Sequence, residues 1–299
     1  MNAAVMTRPR PSRMLAITAA WGGCFVAIRW GLRDSSYLWF AAMRSIAAGV
    51  ILLGVVYIQH RPHPQGLKTW TQIGALAVFN VTIAFAAMFA SAVELNAGVA
   101  SVLSNAQPIL ILIPAWLFFG EHPCRAATIF TAVGFVGLAI TASRSLGSST
   151  DAIFALLAAA AITTGTLLAR QLNRVDIIVV SAWHLLIGGV GLVAIAALRE
   201  GTPNIQWTPR FIGALSFLAI IGTAGAFVLW FEEIRRAPLT SVALWTFLTP
   251  VFGLTFSAIF LGEYPGGREL GGILLVLVGL AGGLAPRKNQ SISQRPLAG

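Results

Sequence analysis

The chain has 299 residues, 57% of them hydrophobic and only 10% charged, and it carries a net charge of +10. A soluble domain has about a quarter charged residues, so the composition excludes one and indicates an integral membrane protein. Its apolar runs are continuous and approach the ~20 residues of a spanning helix, which excludes a β-barrel. Its cations are scattered one or two at a time, without the basic block that nucleic acid requires.

Apolar runs bounded by charges, prolines or glycines fall at roughly 14–32, 37–58, 69–92, 97–119, 124–142, 151–170, 176–198, 209–231, 239–261 and 267–285. The fold class expected is therefore an all-α integral membrane protein of ten transmembrane helices. The first run follows Arg8, Arg10 and Arg13 but has no clear cleavage site, so it is read as retained. Helices three and four are separated only by Val93–Asn96, with Glu94 and Asn96 making the join polar.

The fourth and ninth runs echo each other. Leu103–Pro123 aligns without a gap on Trp245–Pro265, 142 residues later, with six identities: Pro108/Pro250, Leu112/Leu254, Phe118/Phe260, Gly120/Gly262, Glu121/Glu263 and Pro123/Pro265. The same offset pairs Gly23 with Gly165 and Gly137 with Gly279, so the repeat spans the chain. Five spans per unit invert one unit relative to the other. The units expected are 14–142 and 151–285, two inverted-topology five-helix repeats, an architecture that recurs in secondary transporters.

Thirteen Lys and Arg flank the side that holds both termini, including Arg61, Lys68, Arg125, Arg170, Arg235 and Arg236. Five flank the other, namely Arg33, Arg144, Arg199, Arg210 and Arg268. Positive charge stays inside, so both termini are expected in the cytoplasm.

Polar residues inside the runs are the candidates for a site. Arg44, about seven residues into helix two, costs roughly 2.5–3.5 kcal/mol within the span unless partnered, which suits either a substrate carboxylate or a snorkelling side chain. Ser101, Ser104 and Asn105 share a face of helix four, with Gln107 off it; they and Asn80 suit cavity lining or helix packing. His184 is the only histidine inside a span; a satisfied core histidine is its plainer reading, and a site role follows from its capacity to donate, accept or titrate. Trp21, Trp183 and Trp245 lie away from the interfacial belts, whereas Trp39, Trp70 and Trp207 sit where anchors are expected. Pro108 and Pro250 remove backbone donors at matching places, so bends or unwound points are expected there. Each Gly-Glu corner is expected to cap the helix that follows it, ahead of Pro123 or Pro265. Gly267/Gly271 and Gly279/Gly283 offer close packing, within a protomer or in a weak homodimer.

Cys24 and Cys124 lack metal-ligand spacing, and no metal or cofactor is expected. The aspartates Asp34, Asp151 and Asp176 sit at span ends, without the intramembrane pair of an aspartyl protease, and no His-Glu-x-x-His set occurs. The alternatives that remain are a channel, or a carrier of other metabolites, nucleotide-sugar-like or drug-like.

Trp21-Gly22-Gly23-Cys24-Phe25, Arg44, Ala97-Gly98-Val99-Ala100-Ser101, Gln107-Pro108 and Phe119-Gly120-Glu121 in the first unit resemble the drug/metabolite transporter superfamily. So do Ala237-Pro238-Leu239-Thr240-Ser241-Val242-Ala243, Pro250 and Leu261-Gly262-Glu263 in the second. The resemblance is to the ten-helix members built of two EamA-type units, and most closely to YddG-type exporters of aromatic and other neutral amino acids. The chain departs from that pattern with Ser35-Ser36 ahead of Arg44 and Thr163-Thr164 in helix six. The resemblance implies a secondary transporter of the cell inner membrane, exporting amino acids by alternating access. It also implies a midplane cavity walled by helices one to four and six to nine, with five and ten outside as supports. With no carboxylate deep in a span, exchange or facilitated diffusion is expected rather than proton coupling.

Overall fold

The computed structural model describes residues 7–95, 97–121, 125–142, 149–264 and 266–284. Asn96, His122, Pro123, Cys124, Arg144 and Pro265, on which some expectations fell, lie outside the described residues. All the regular structure among the described residues is helical. In chain order the helices are α1 (Pro11–Gly31), α2 (Tyr37–Ile58), α3 (Leu67–Val93), α4 (Ala97–Leu103, Gln107–Leu110 and Leu112–Phe119), α5 (Arg125–Ala142) and α6 (Ser149–Gln171). Then follow α7 (Ile177–Arg199), α8 (Pro209–Arg236), α9 (Leu239–Trp245 and Leu248–Leu261) and α10 (Gly267–Leu284). Seven of them, α1–α3 and α6–α9, are long and apolar enough to cross a membrane. The remaining three positions are filled by a broken α4 and by the shorter α5 and α10.

The breaks in α4 and α9 lie just ahead of the two matched prolines. α4 is interrupted between Leu103 and Gln107, and α9 at Thr246 and Phe247. Proline cannot donate to the carbonyl four residues back, and that carbonyl is recruited by another donor. The Thr246 carbonyl, four residues before Pro250, accepts from Thr249 N at 3.0 Å; around Pro108 the chain restarts its helix with Ile109 N donating to the Ala106 carbonyl at 3.2 Å.

Glycines set the closest helix approaches. A Cβ on Gly49 of α2 would meet Leu186 of α7 at 2.7 Å, and one on Gly22 of α1 would meet Phe252 of α9 at 2.6 Å. At the α5–α10 contact the neighbours are backbone. A Cβ on Gly137 would lie 2.5 Å from the Gly272 carbonyl oxygen, and one on Gly279 would lie 2.6 Å from that of Phe130. Gly267 and Gly271, expected to pack closely, face open space instead. Exposed Ile129, Val136, Leu274 and Val278 give α5 and α10 the apolar outer surface that acyl chains require.

Seven acidic side chains are described, and all sit at helix ends with partners. Glu200, at the end of α7, caps α2 by accepting from Leu38 N at 3.1 Å and Trp39 N at 3.2 Å. Glu233 is fully buried and takes Arg13, Arg236 and the Arg10 backbone N–H. The corner carboxylate of Glu121 reaches across the molecule. It accepts from Leu239 N at 2.9 Å and Thr240 N at 3.1 Å, and Arg170 lies 3.6 Å away, so it caps α9 in the other half; its expected cap on the helix that follows it in the chain lies outside the described residues. A helix N-terminus attracts a carboxylate wherever the fold brings one. Glu263 takes the Ser257 hydroxyl of its own helix.

Gly279→Val should force α5 and α10 apart, because backbone cannot swing aside, at a cost of about 1–3 kcal/mol or more. Gly271→Val, on open surface, should leave the thermal midpoint in detergent unchanged, and equal midpoints for the two variants would refute this packing. In the α1–α2 connection, Arg210 grips Asp34 with hydrogen bonds of 2.8 and 2.9 Å, holding its carboxyl below the ordinary 3.8. The stabilisation is then full above the unfolded-state pKa and lost as pH falls through the lower folded value. Asp34→Asn should lower Tm at neutral pH, and its gap from the unmodified chain should close in acid.

Candidate functional site

Between the two halves lies a cavity of about 60 Å³ whose walls come from α1, α2, α3, α4, α6, α8 and α9. Trp21, Arg44, Asn80 and Asn105 line it, as do Cys24, Phe85, Ser104, Gln107, Phe227, Trp230 and Thr249. Helix α7, expected among the walls, stands one layer back. The other expected residues are placed apart from the cavity. Ser101 donates to the Gly98 carbonyl and packs where a Cβ on Gly253 would be 2.4 Å from its hydroxyl. Trp183 stacks edge-on against Trp70, centroids 5.1 Å apart, beside His63, so Trp70 meets a neighbouring ring where a headgroup anchor was expected. Trp245 ends the first segment of α9, packed on the core.

Arg44 does not snorkel. It is 2% exposed, and its head turns inward, where Nε donates to Thr223 Oγ1 at 2.6 Å and Nη2 donates to the Gly222 carbonyl at 3.2 Å. Nη2 also lies 3.7 Å from Cys24 Sγ, and the guanidinium carbon sits 4.4 Å from the centre of the Phe85 ring. Nη1 has no partner.

The acceptors for Arg44 exist because α8 widens into a π-helical stretch at Phe217–Gly225. An i→i+5 pattern leaves carbonyls imperfectly committed along the helix, and π turns recur at functional sites. The corresponding helix α3 widens likewise at Val78–Ile83. Asn80 and Gly222 stand 142 residues apart, so both fall at the repeat offset. Gly222 must lack a side chain, since a Cβ there would be 2.3 Å from Cys24 Sγ.

His184 supports Asn80 from behind. It is fully buried, with Nδ1 2.9 Å from the Val180 carbonyl oxygen and Nε2 3.5 Å from Asn80 Nδ2. A carbonyl requires a proton on Nδ1, which leaves Nε2 as the acceptor, so the hydrogen-bond set assigns a neutral ring. Phe227 and Phe231 close it in at 5.4 and 5.3 Å.

Two further polar atoms lining the cavity are without partners, Ser104 Oγ and Thr249 Oγ1, each beside a break in α4 or α9. The amides are partly committed, with Gln107 donating to Thr166 Oγ1 at 2.8 Å and Asn105 to the Ser101 carbonyl at 2.6 Å. Apolar rings supply the rest of the wall, Trp21 and Trp230 lying 5.1 Å apart. A second pocket of about 420 Å³ lies where α1, α3 and α9 end and α2 begins, lined by Arg29, Arg33, Tyr37, Val93 and Glu263 among others.

Residues 13–143 and again 150–283 match the EamA-like transporter family. The chain belongs to that family. It is 30% identical to an uncharacterized transporter of Synechocystis sp., over 87% of this chain and 85% of that one. A protein of Salmonella typhimurium called "Probable amino-acid metabolite efflux pump" is 25% identical over 92% of this chain and 94% of its own. Protein PecM of Dickeya dadantii is 23% identical over 87% of each. A solved crystal structure with 16% identity superposes at a TM-score of 0.75 over 91% of this chain and 96% of the other, which fixes the fold. This EamA-family protein is thus a multi-pass membrane transporter of small metabolites, and the drug/metabolite transporter superfamily is its wider setting.

Cys24, Gly222, Thr223, Trp230 and Thr249 were not singled out as site residues in the sequence. The repeat offset leads from Asn80 to Gly222 and from Gln107 to Thr249, and would have found two of them. Gly222→Ala should drive the new methyl into Cys24 and tilt the guanidinium, lowering Tm by overpacking of about 1–3 kcal/mol. Cys24→Ala in the same chain should restore much of the loss, a coupling that a double-mutant cycle on Tm reads directly.

Proposed function

We propose that the protein exports carboxylated metabolites, foremost aromatic and other neutral amino acids, across the cell inner membrane by alternating access. The observation that carries this reading is the free Nη1 of Arg44, which shares a cavity between the halves with two unpartnered hydroxyls. A carboxylate would take a charge-assisted hydrogen bond from Nη1 there and leave the hydroxyls to donate to it as well. The rings of Trp21, Phe85, Phe227 and Trp230 suit an apolar or aromatic side chain, and the amide oxygens of Asn80, Asn105 and Gln107 suit an ammonium group. The name of the Salmonella relative supports the same class.

At about 60 Å³ the cavity is several times smaller than the ~300 Å³ at which ligand pockets begin, so a substrate enters only as the halves move apart. Inverted repeats supply such a motion. Supporting that relation, α2 packs on α7 and α5 on α10, each helix against its counterpart in the other half, as a two-fold axis in the membrane plane would pair them. Both termini are placed in the cytoplasm by this reading, on the charge asymmetry.

In proteoliposomes, radiolabelled amino acids should show saturable counterflow, with nucleotide sugars as the comparison class. Arg44→Ala should cost about 1.5–3 kcal/mol of carboxylate binding, a ten- to hundred-fold rise in half-saturation. Unchanged counterflow in a normally expressed Arg44→Ala protein would overturn the role given to Arg44. An imposed pH gradient should drive no net accumulation, since no described carboxylate lines the cavity and His184 is already bonded as a neutral ring. Uphill accumulation lost in His184→Gln would replace exchange with proton coupling.

A further inference from the structure

The hydrogen bonds that Arg44 makes go only to neutral groups, the Thr223 hydroxyl, the Gly222 carbonyl and the Cys24 thiol. No described Asp or Glu lines the cavity. A guanidinium 2% exposed within a span therefore carries its charge without an anionic partner in the cavity wall. An isolated ion in such surroundings is costly unless paired. Three unpartnered donors belong to this cavity, Arg44 Nη1, Ser104 Oγ and Thr249 Oγ1, and the two hydroxyls rotate freely enough to turn their hydrogens inward.

Volume selects the ligand. About 60 Å³ is room for a few water molecules, each needing ~10–15 Å³ of such space. It lies several times below the ~300 Å³ at which pockets for larger ligands begin, so the closed cavity favours a small ion over an amino acid. A halide is close to a water molecule in size. Waters could satisfy the hydrogen bonds but not the charge.

We infer that, between substrates, the cavity binds a small monovalent inorganic anion at Arg44, Thr249 and Ser104, and that a substrate carboxylate displaces it. The inference rests on Arg44 as the carboxylate receptor and adds the occupant of the closed cavity. It makes halide and carboxylate competitors, so apparent substrate affinity falls as halide rises at fixed ionic strength. The halide is a counter-ion here, not cargo.

The test uses the full chain in detergent without amino acid, titrated with iodide against gluconate at constant ionic strength. Trp21 and Trp230 line the cavity, so a bound heavy halide quenches their emission in a saturable step. Exposed Trp207 contributes only a linear background. Formate, the smallest carboxylate, should raise the iodide half-saturation competitively. Arg44→Gln should abolish the saturable step, and Thr249→Val, which keeps the charge and the shape, should raise half-saturation by about five-fold. If Arg44→Gln does not fold, Thr249→Val and formate competition decide alone. Linear quenching in the unmodified chain, or a saturable step untouched by Thr249→Val and formate, overturns the inference. Halide saturation without amino-acid counterflow would keep the anion site and remove the export reading; counterflow without halide saturation would do the reverse.

Discussion

A full positive charge in the apolar middle of a helix bundle is the constraint to which the rest of this site answers. Arg44 cannot be satisfied by its own helix, whose carbonyls are already used. The bundle meets this need by distorting a neighbouring helix. The π stretch of α8 turns the Gly222 carbonyl and Thr223 hydroxyl toward Arg44, and the missing side chain at 222 lets Cys24 and the guanidinium approach. Phe85 then offers its ring face, which a desolvated cation favours. Removing any one of these would leave the charge less well housed, so α1, α2, α3 and α8 are tied together by one side chain.

The two halves solve different problems with the same framework. Where α2 and α8 meet, a cation bonds to the π segment through Gly222; where α7 and α3 meet, a neutral imidazole bonds to the π segment through Asn80, the residue equivalent to Gly222. Position 80 has a long amide and position 222 has no side chain, because the partner at 44 is long and charged and the one at 184 is short and uncharged. The repeat has thus kept the backbone device and exchanged the chemistry between its arms. One consequence is a polarised cavity, cationic on the α2 side and amide-rich on the α3 and α4 side, which would orient a zwitterion.

Helix positions were legible because apolar runs punctuated by charge leave little freedom in a bilayer, and the interruptions of α4 and α9 followed from Pro108 and Pro250. The rotation of each helix about its own axis was less legible. α7 is apolar on nearly every side, so nothing in its pattern tells which face meets Asn80, and His184 and its neighbour Trp183 turn out to point into separate environments. The π segments were hidden for a similar reason, since Val78–Ile83 and Phe217–Gly225 contain residues equally at home in an α-helix. The cap of Glu121 on α9 was not legible because chain order suggests the next helix, whereas this pairing is made across the molecule.

That cap bears on how the protein is made. Translation delivers the first five helices well before residue 239 emerges, and until then Glu121 and Arg170 lack the helix end they hold in the finished bundle. The first half is consequently born with an acidic group awaiting its partner, and it reaches its final electrostatic arrangement only when α9 has been inserted. Synthesis in one continuous chain guarantees that this partner arrives at high local concentration and in the correct orientation. Two separately expressed halves would have to find each other by diffusion in the bilayer, each exposing faces that its counterpart normally covers. A fused duplication thus gains an assembly order that a pair of independent five-helix proteins would lack.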